Sequence, residues 1–254
     1  MEVFKSMPFK EWIRDQIKTN VAPFLAKQGF KKGRATSYVR ECDGIIQMVL
    51  FEFRADEVCL ETEIFPVFFP SEYGCMNVIK DSDFPISRNR IIAQNVYSED
   101  NAGKSSWFWG TRSRTAQEWQ ELENVINRIV IPRFDAVQSL DELMKSPTRI
   151  KYNEQPNKIW KGIFLYVDAV YDCLAGDFDT GMQELRTAQA CKRSYLGHLA
   201  SQGKEYGKSK DSFYRIYSII DDFCNTVAGE NYNKETFLGV YEKECSGARK
   251  WFKV

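Results

Sequence analysis

One histidine, His198, is all the chain has, and that scarcity removes two large classes of chemistry. A multi-histidine metal site cannot be assembled, and any cysteine–histidine or serine–histidine nucleophile would depend on this one ring. Cysteine occurs seven times, at 42, 59, 75, 173, 191, 224 and 245, yet no two are closer than sixteen positions. Neither a CxxC pair nor a disulfide framework is expected, and reduced, mostly buried thiols in a cytoplasmic protein are the simplest reading. Net charge is also missing. Lysine plus arginine and aspartate plus glutamate number 35 each, split 19 against 21 as far as Pro147 and 16 against 14 beyond it. That balance argues against a general nucleic-acid binder and against a polybasic membrane anchor.

Long apolar runs are lacking too. Ile45 to Phe53 and Ile64 to Phe69 are interrupted by Gln47, Glu52 and Pro66, far short of the ~20 residues of a spanning helix, so no membrane partner is expected. Residues 1–9 carry Glu2 and Lys5 and have no apolar h-region, so no secretory signal is expected. GxSxG, HExxH, P-loop and GxGxxG patterns are all absent, which leaves no motif for a catalytic residue, a metal or a cofactor, and none is expected.

What is present is material for a core: 254 residues, 43% hydrophobic and 14% aromatic, enough for one or two domains. Phe9, Trp12, Ile13, Ile17, Val21, Phe24 and Leu25 share one face of a helix predicted from about Pro8 to Lys27, with Pro23 kinking or splitting off its last turn and Gly29 closing it. The period then changes to two. Thr36–Cys42, the turn Asp43-Gly44 and Ile45–Arg54 predict a hairpin with a type I′ turn. A third strand is expected from Val58 to about Phe69, with Glu61 and Glu63 on a face that meets water near its start, and the middle strand is expected to be covered on both faces. Short strands are read near Ile91–Tyr97 and at Trp107–Gly110. Thr115 to Glu118 has capping-box spacing and opens a long helix with a break at Pro132, followed by a segment to Met144.

From Asn157 the pattern is helical, near 157–174, 178–201, 211–228 and 234–252. The fold class is therefore α+β, an N-terminal helix and antiparallel sheet followed by an all-helical C-terminal region, with an α+β domain over 1–148 and a helical region over 157–254. At an offset of 53, Ile163, Asp168, Ala175, Gly176 and Leu185 meet Ile216, Asp221, Ala228, Gly229 and Leu238, so the helical region reads either as a duplicated hairpin or as unrelated amphipathic helices. Gly176-Asp177-Phe178 with small residues at Gly181 and Ala188 is similar to a tetratricopeptide hairpin, from which Asp168 and Asp172 depart.

Leu25, the run Gly29-Phe30-Lys31-Lys32-Gly33, Tyr38, Arg40, Asp43-Gly44-Ile45-Ile46-Gln47 and Phe51 resemble the opening of the domain of unknown function 4304 family. Trp107-Phe108 and the helix with Ile131-Pro132, Ser139, Leu140 and Leu143 resemble its close. The resemblance spans about residues 9–145. It implies a bacterial, cytoplasmic α+β domain without an established activity, some of whose relatives lie near toxin loci as immunity-like proteins.

Phe68, Phe69, Tyr73, Trp107 and Trp109, with Phe65, are the candidate binding residues, an aromatic groove for a peptide or small ligand; the competing reading buries them against the C-terminal helices. Glu52, Glu61 and Glu63 with Asp43 were weighed as a cation or nuclease-like site, but no lysine stands at the Glu-x-Lys position, and a solvated face with Arg40 and Arg54 as partners is the simpler expectation. Lys31, Lys32, Arg34 and Tyr38 read either as phosphate contacts or as a solvated turn. The expected function is a non-enzymatic protein-interaction module with a protein partner. The alternative is a small-molecule-binding protein or enzyme with a site between the sheet and the C-terminal helices.

Overall fold

Apolar residues three and four positions apart open the fold, and Ile13, Ile17, Val21 and Leu25 are all buried. They lie on α1 (Phe9–Asn20) and α2 (Ala22–Lys27). The helix is split at Val21 because Pro23 sits in the first turn of α2, where its missing N–H is no loss. The end of α2 is closed by Phe30 N–H donating to the Leu25 carbonyl at 3.1 Å and Gly29 N–H to that of Ala26 at 3.0 Å, the paired bonds of a Schellman cap. The structure, a computed structural model, describes residues 9–33, 36–54, 57–69, 92–95, 107–108, 116–146, 158–201, 220–221, 223–225, 227 and 234–254.

Six strands follow as one sheet: β1 (Lys31–Lys32), β2 (Ser37–Cys42), β3 (Ile45–Arg54), β4 (Glu57–Pro66), β5 (Ile92–Asn95) and β6 (Trp107–Phe108), in the order β1-β2-β3-β4-β5 with β6 also on β4. The β1–β2, β2–β3 and β4–β6 pairs are antiparallel. Asp43 and Gly44 both have positive φ, 28° and 79°, as the type I′ turn requires, and the register runs from Cys42↔Ile45 to Ser37↔Leu50. Ile45, Ile46, Met48 and Val49 are fully buried, so β3 is covered on both faces.

Strand β4 departs from expectation. Leu60, Thr62, Glu63, Ile64 and Phe65 are all buried, Glu63 completely, whereas Glu63 was expected on a wetted face. Period-two patterning reads a carboxylate as solvent-facing, but alternation only assigns residues to faces, and both faces of β4 are covered from Thr62 to Phe65. The predicted break at Pro132 is also corrected. α3 (Ala116–Val125) continues through a π-helical turn (Ile126–Val130) into α4 (Ile131–Asp135). Ile131 N–H donates to the Ile126 carbonyl five residues back, and this widened turn accommodates the proline at the start of α4. α5 (Leu140–Lys145) follows, capped by Ser139, whose Oγ accepts from Glu142 N–H at 3.2 Å while the Glu142 carboxylate accepts from Gln138 N–H at 2.6 Å.

By its internal contacts the chain divides into two units, Met1–Ile64 with Ala93–Glu142 and Phe252–Val254, and Phe65–Ile92 with Leu143–Trp251. In the second, α6 (Lys158–Ala175) and α7 (Phe178–Ser201) form a tight hairpin, and α8 (Lys234–Phe252) follows. Gly176, with φ 96°, closes α6 while the Asp177 carboxylate caps α7 through Thr180 N–H at 3.1 Å. At Gly181 the helices approach so closely that a Cβ would lie 2.4 Å from Cys173 Sγ. Of the residues aligned at the offset of 53, Leu185 is fully buried and Leu238 is 38% exposed, so that pair occupies opposite environments.

Candidate functional site

The aromatic residues singled out in the sequence are not all within the described residues. Tyr73 and Trp109 lie outside them, and Trp107 is placed by its backbone, paired with Val58 across β4 and β6. Phe68 and Phe69 are buried. Phe68 belongs to a closed circuit of rings within the second unit: Phe68–Tyr166 at 6.5 Å between centroids, Tyr166–Phe223 at 5.3 Å, Phe223–Phe237 at 5.8 Å, Phe237–Tyr241 at 6.3 Å and Tyr241–Phe68 at 5.7 Å. Phe69 packs on Phe65 at 6.2 Å. Such edge-on, tilted and stacked pairs strengthen a core beyond simple area burial.

Among the described cysteines, Cys173, Cys224 and Cys245 are buried, Cys42 and Cys191 are half-buried, and none of the five is in a disulfide. Burial pushes the Cys173 and Cys224 thiols up to about 12, with Asp172, Asp177 and Glu184 adding to the first and Asp221 to the second. These two thiols stay protonated at neutral pH and are poor nucleophiles. Among the described residues no group of three or more His, Cys, Asp and Glu side chains is placed to hold a metal ion, and no helix is long and apolar enough to cross a membrane.

A different place gathers apolar surface and charge. In the first unit a groove of about 850 Å³ lies between α1–α2 and β1–β2. Ile17, Ala22, Pro23 and Ala26 supply its apolar wall, and Glu11, Arg14, Asp15 and Lys18 are the charged side chains of α1 that border it. Their spacing places residues 11, 14, 15 and 18 on one stripe of the helix, beside the buried stripe of Ile13 and Ile17. Lys32 and Tyr38 face this helix from the sheet, brought to the same side by the pairing Lys32↔Tyr38.

Lys32 Nζ sits 5.0 Å from the centroid of the Tyr38 ring and donates to the Ser37 carbonyl at 3.2 Å. Its amine is lowered from 10.5 to about 8, by burial first and then by the positive charges of Lys253 and Arg14. Burial raises the Tyr38 phenol, so Tyr38 is neutral at physiological pH. The positive charges of Lys253 and Arg14 disfavour the proton on Lys32, and a bound anion would offset them.

Further along β2 the sheet is braced by Arg40 and Gln47, register partners on β2 and β3. The Arg40 guanidinium lies over Phe30 at 4.8 Å and Phe134 at 5.9 Å, donates to the Gln28 carbonyl at 2.9 Å and to Gln47 Oε1, and pairs with Asp135 at 3.2 Å. The expectation that Arg40 serves a solvated carboxylate face is corrected by this arrangement: its acidic partner comes from the end of α4. The groove was missed in sequence because it needs the polar stripe of α1 and the Lys31-Lys32 pair to be read together. Only the second was noticed, as a basic turn. The chain matches no family model, no curated protein and no solved structure.

Proposed function

We propose that the protein is a non-enzymatic binding protein and that its ligand is a small organic acid with an apolar tail, taken into the groove of the first unit. The observation that supports this reading is the pairing, across one groove, of the apolar side chains of Ile17, Ala22, Pro23 and Ala26 with the amine of Lys32. The volume of about 850 Å³ falls in the range of small-molecule sites. An acid would place its carboxylate by Lys32 and Arg14 and its chain along Ile17, Ala22 and Pro23. The site differs from the sheet-to-C-terminal-helix location expected from sequence, since α1 and α2 form its wall.

The protein-partner reading is a second proposal, favoured by the exposure of both lysines of β1 at the end of the sheet beside the groove, where an acidic segment of a partner finds opposite charge. Membership of the family resembled over residues 9–145, and a cytoplasmic location with reduced thiols, are part of the same proposal. Thermal unfolding of the whole chain with octanoate, octanol and an acidic peptide separates the readings. Octanoate raising the midpoint while octanol and the peptide do not supports the small acid, because only a ligand bound by the native state stabilises it. A response to the peptide alone would replace that reading with the partner, and equal responses to octanoate and octanol would remove the carboxylate from it.

A further inference from the structure

The groove ends on an edge of the sheet, and the hydrogen-bond phase of that edge decides what can dock there. β1 is the terminal strand. Gly33 N–H donates to the Ser37 carbonyl at 3.0 Å, and in an antiparallel ladder the residue next to such a pair turns its backbone groups the other way. Lys32, set opposite Tyr38, therefore points its N–H and C=O away from β2 and toward the outer edge. That edge is one residue long. On one side Phe30 N–H is taken by the Leu25 carbonyl at 3.1 Å in the cap of α2, and on the other Gly33 N–H is taken by Ser37. We infer that this edge and the groove beside it receive the C-terminal residue of a partner chain, one with an apolar side chain and a free carboxylate, a proposal that rests on the reading of the groove as a small-acid site.

Each group of such a residue meets its counterpart. Docked antiparallel opposite Lys32, its amide N–H donates to the Lys32 carbonyl, and one carboxylate oxygen accepts from the Lys32 backbone N–H. Opposed residues of neighbouring strands share a face. Lys32 and Tyr38 are such a pair and line the groove, so the docked side chain enters it as well, toward Ile17, Ala22 and Pro23. The Lys32 ammonium is held beside the edge by the Ser37 carbonyl at 3.2 Å and the Gly33 carbonyl at 3.5 Å, and Arg14 borders the groove from α1. These cations favour a carboxylate at the edge; Glu11 and Asp15 are the opposing carboxylates of α1, and Lys18 is a further cation. A longer strand finds no more than one outward pair here, and a short edge carrying lysine discourages sheet-to-sheet pairing. A chain end needs only that pair, and its carboxylate makes the bond to the Lys32 N–H charge-assisted. The result is strand addition reduced to a single residue.

Four small probes test this on the whole chain by thermal unfolding: acetyl-Ala-Ala-Leu, its C-terminal amide, acetyl-Ala-Ala-Gly, and the ester analogue in which oxygen replaces the leucine N–H. The leucine acid should raise the midpoint at a concentration about tenfold below that needed for each of the other three. It should also slow hydrogen exchange of the Lys32 amide, whose N–H it covers. Equal stabilisation by the acid and its amide, by leucine and glycine ends, or by the peptide and its ester analogue would overturn the chain-end docking, as would unchanged exchange at Lys32. If octanoate still stabilises the protein in that case, the groove remains an acid site and only the chain end is lost. If octanoate has no effect either, both readings fall together.

Discussion

Gln47 offers the sharpest test of how the first unit is held together. Its side chain is fully buried, Nε2 donates to the Phe134 carbonyl at 2.8 Å and the Val137 carbonyl at 2.7 Å, and Oε1 accepts from Arg40 Nε. One amide therefore ties β3 to the end of α4 and orients the arginine on β2. In Gln47→Leu, Phe134 O keeps the Gln138 side-chain donor at 2.9 Å, while Val137 O loses the Gln47 donor. A buried polar group left without a partner costs ~1 to 3 kcal/mol, and the lost acceptor of a charged guanidinium adds ~1 kcal/mol, so the expected loss is about 2 to 4 kcal/mol before the small gain from burying leucine. Against the ~5 to 15 kcal/mol typical of a domain, that is a large share. Gln47→Glu sharpens the test, because a carboxylate turns oxygen toward two carbonyl oxygens. Its folded pKa is raised, so its penalty is least at acid pH and grows as pH rises from the unfolded glutamate value of ~4.3 through the raised folded value. Urea unfolding, with hydrogen exchange of the β2 and β3 amides to read the first unit locally, measures both. A Gln47→Leu protein within ~0.5 kcal/mol of wild type, or a Gln47→Glu deficit unchanged between pH 4 and 8, would refute the bracing role.

Most of the element plan was legible in the sequence because it rests on periodicity and on punctuation by special residues. The stripe from Ile13 to Leu25, the splitting of that helix at Pro23, the Asp43-Gly44 turn and the helices Lys158–Ala175, Phe178–Ser201 and Lys234–Phe252 are local facts, and local facts survive folding; the helix expected at 211–228 lies largely outside the described residues. The misreadings share a cause. Glu63 looks like a solvent-facing residue in an alternating pattern, yet it is buried, because what packs on each face of the sheet decides exposure and that packing is not local. Pro132 looks like a stop, but the preceding π-helical turn shifts the hydrogen bonding enough to carry the helix past it. The groove was illegible for a related reason. It is made where the polar stripe of α1 faces Lys32 and Tyr38, a juxtaposition set by how the helices return onto the sheet. Aromatic richness drew attention to Phe68 and Phe69 instead, whereas the structure spends those rings on core packing.

Gly44→Val should destabilise the hairpin by ~1 to 3 kcal/mol, since a β-branched residue is strained at φ 79°; unchanged urea unfolding would count against the turn. Gly181→Ala should cost ~1 to 3 kcal/mol, because its new methyl would lie 2.4 Å from Cys173 Sγ and 2.7 Å from the Ala169 carbonyl, and an unaltered melting curve would show that α6 and α7 separate freely. Octanoate binding should take up protons near pH 8. Lys32 in the free protein has an amine lowered to about 8 by burial and then by Lys253 and Arg14, and a bound carboxylate adds a negative charge that raises it. Between the free and the bound values the complex holds a proton that the free protein lacks, so affinity is greatest below pH 8 and declines as pH rises through that window. Calorimetry in buffers of different ionisation enthalpy reads the uptake directly, as a binding heat that varies with the buffer at pH 8 to 9 and ceases to vary in Lys32→Arg, whose guanidinium does not titrate there. A buffer dependence that persists in Lys32→Arg would move the linked proton to another group and separate Lys32 from the carboxylate.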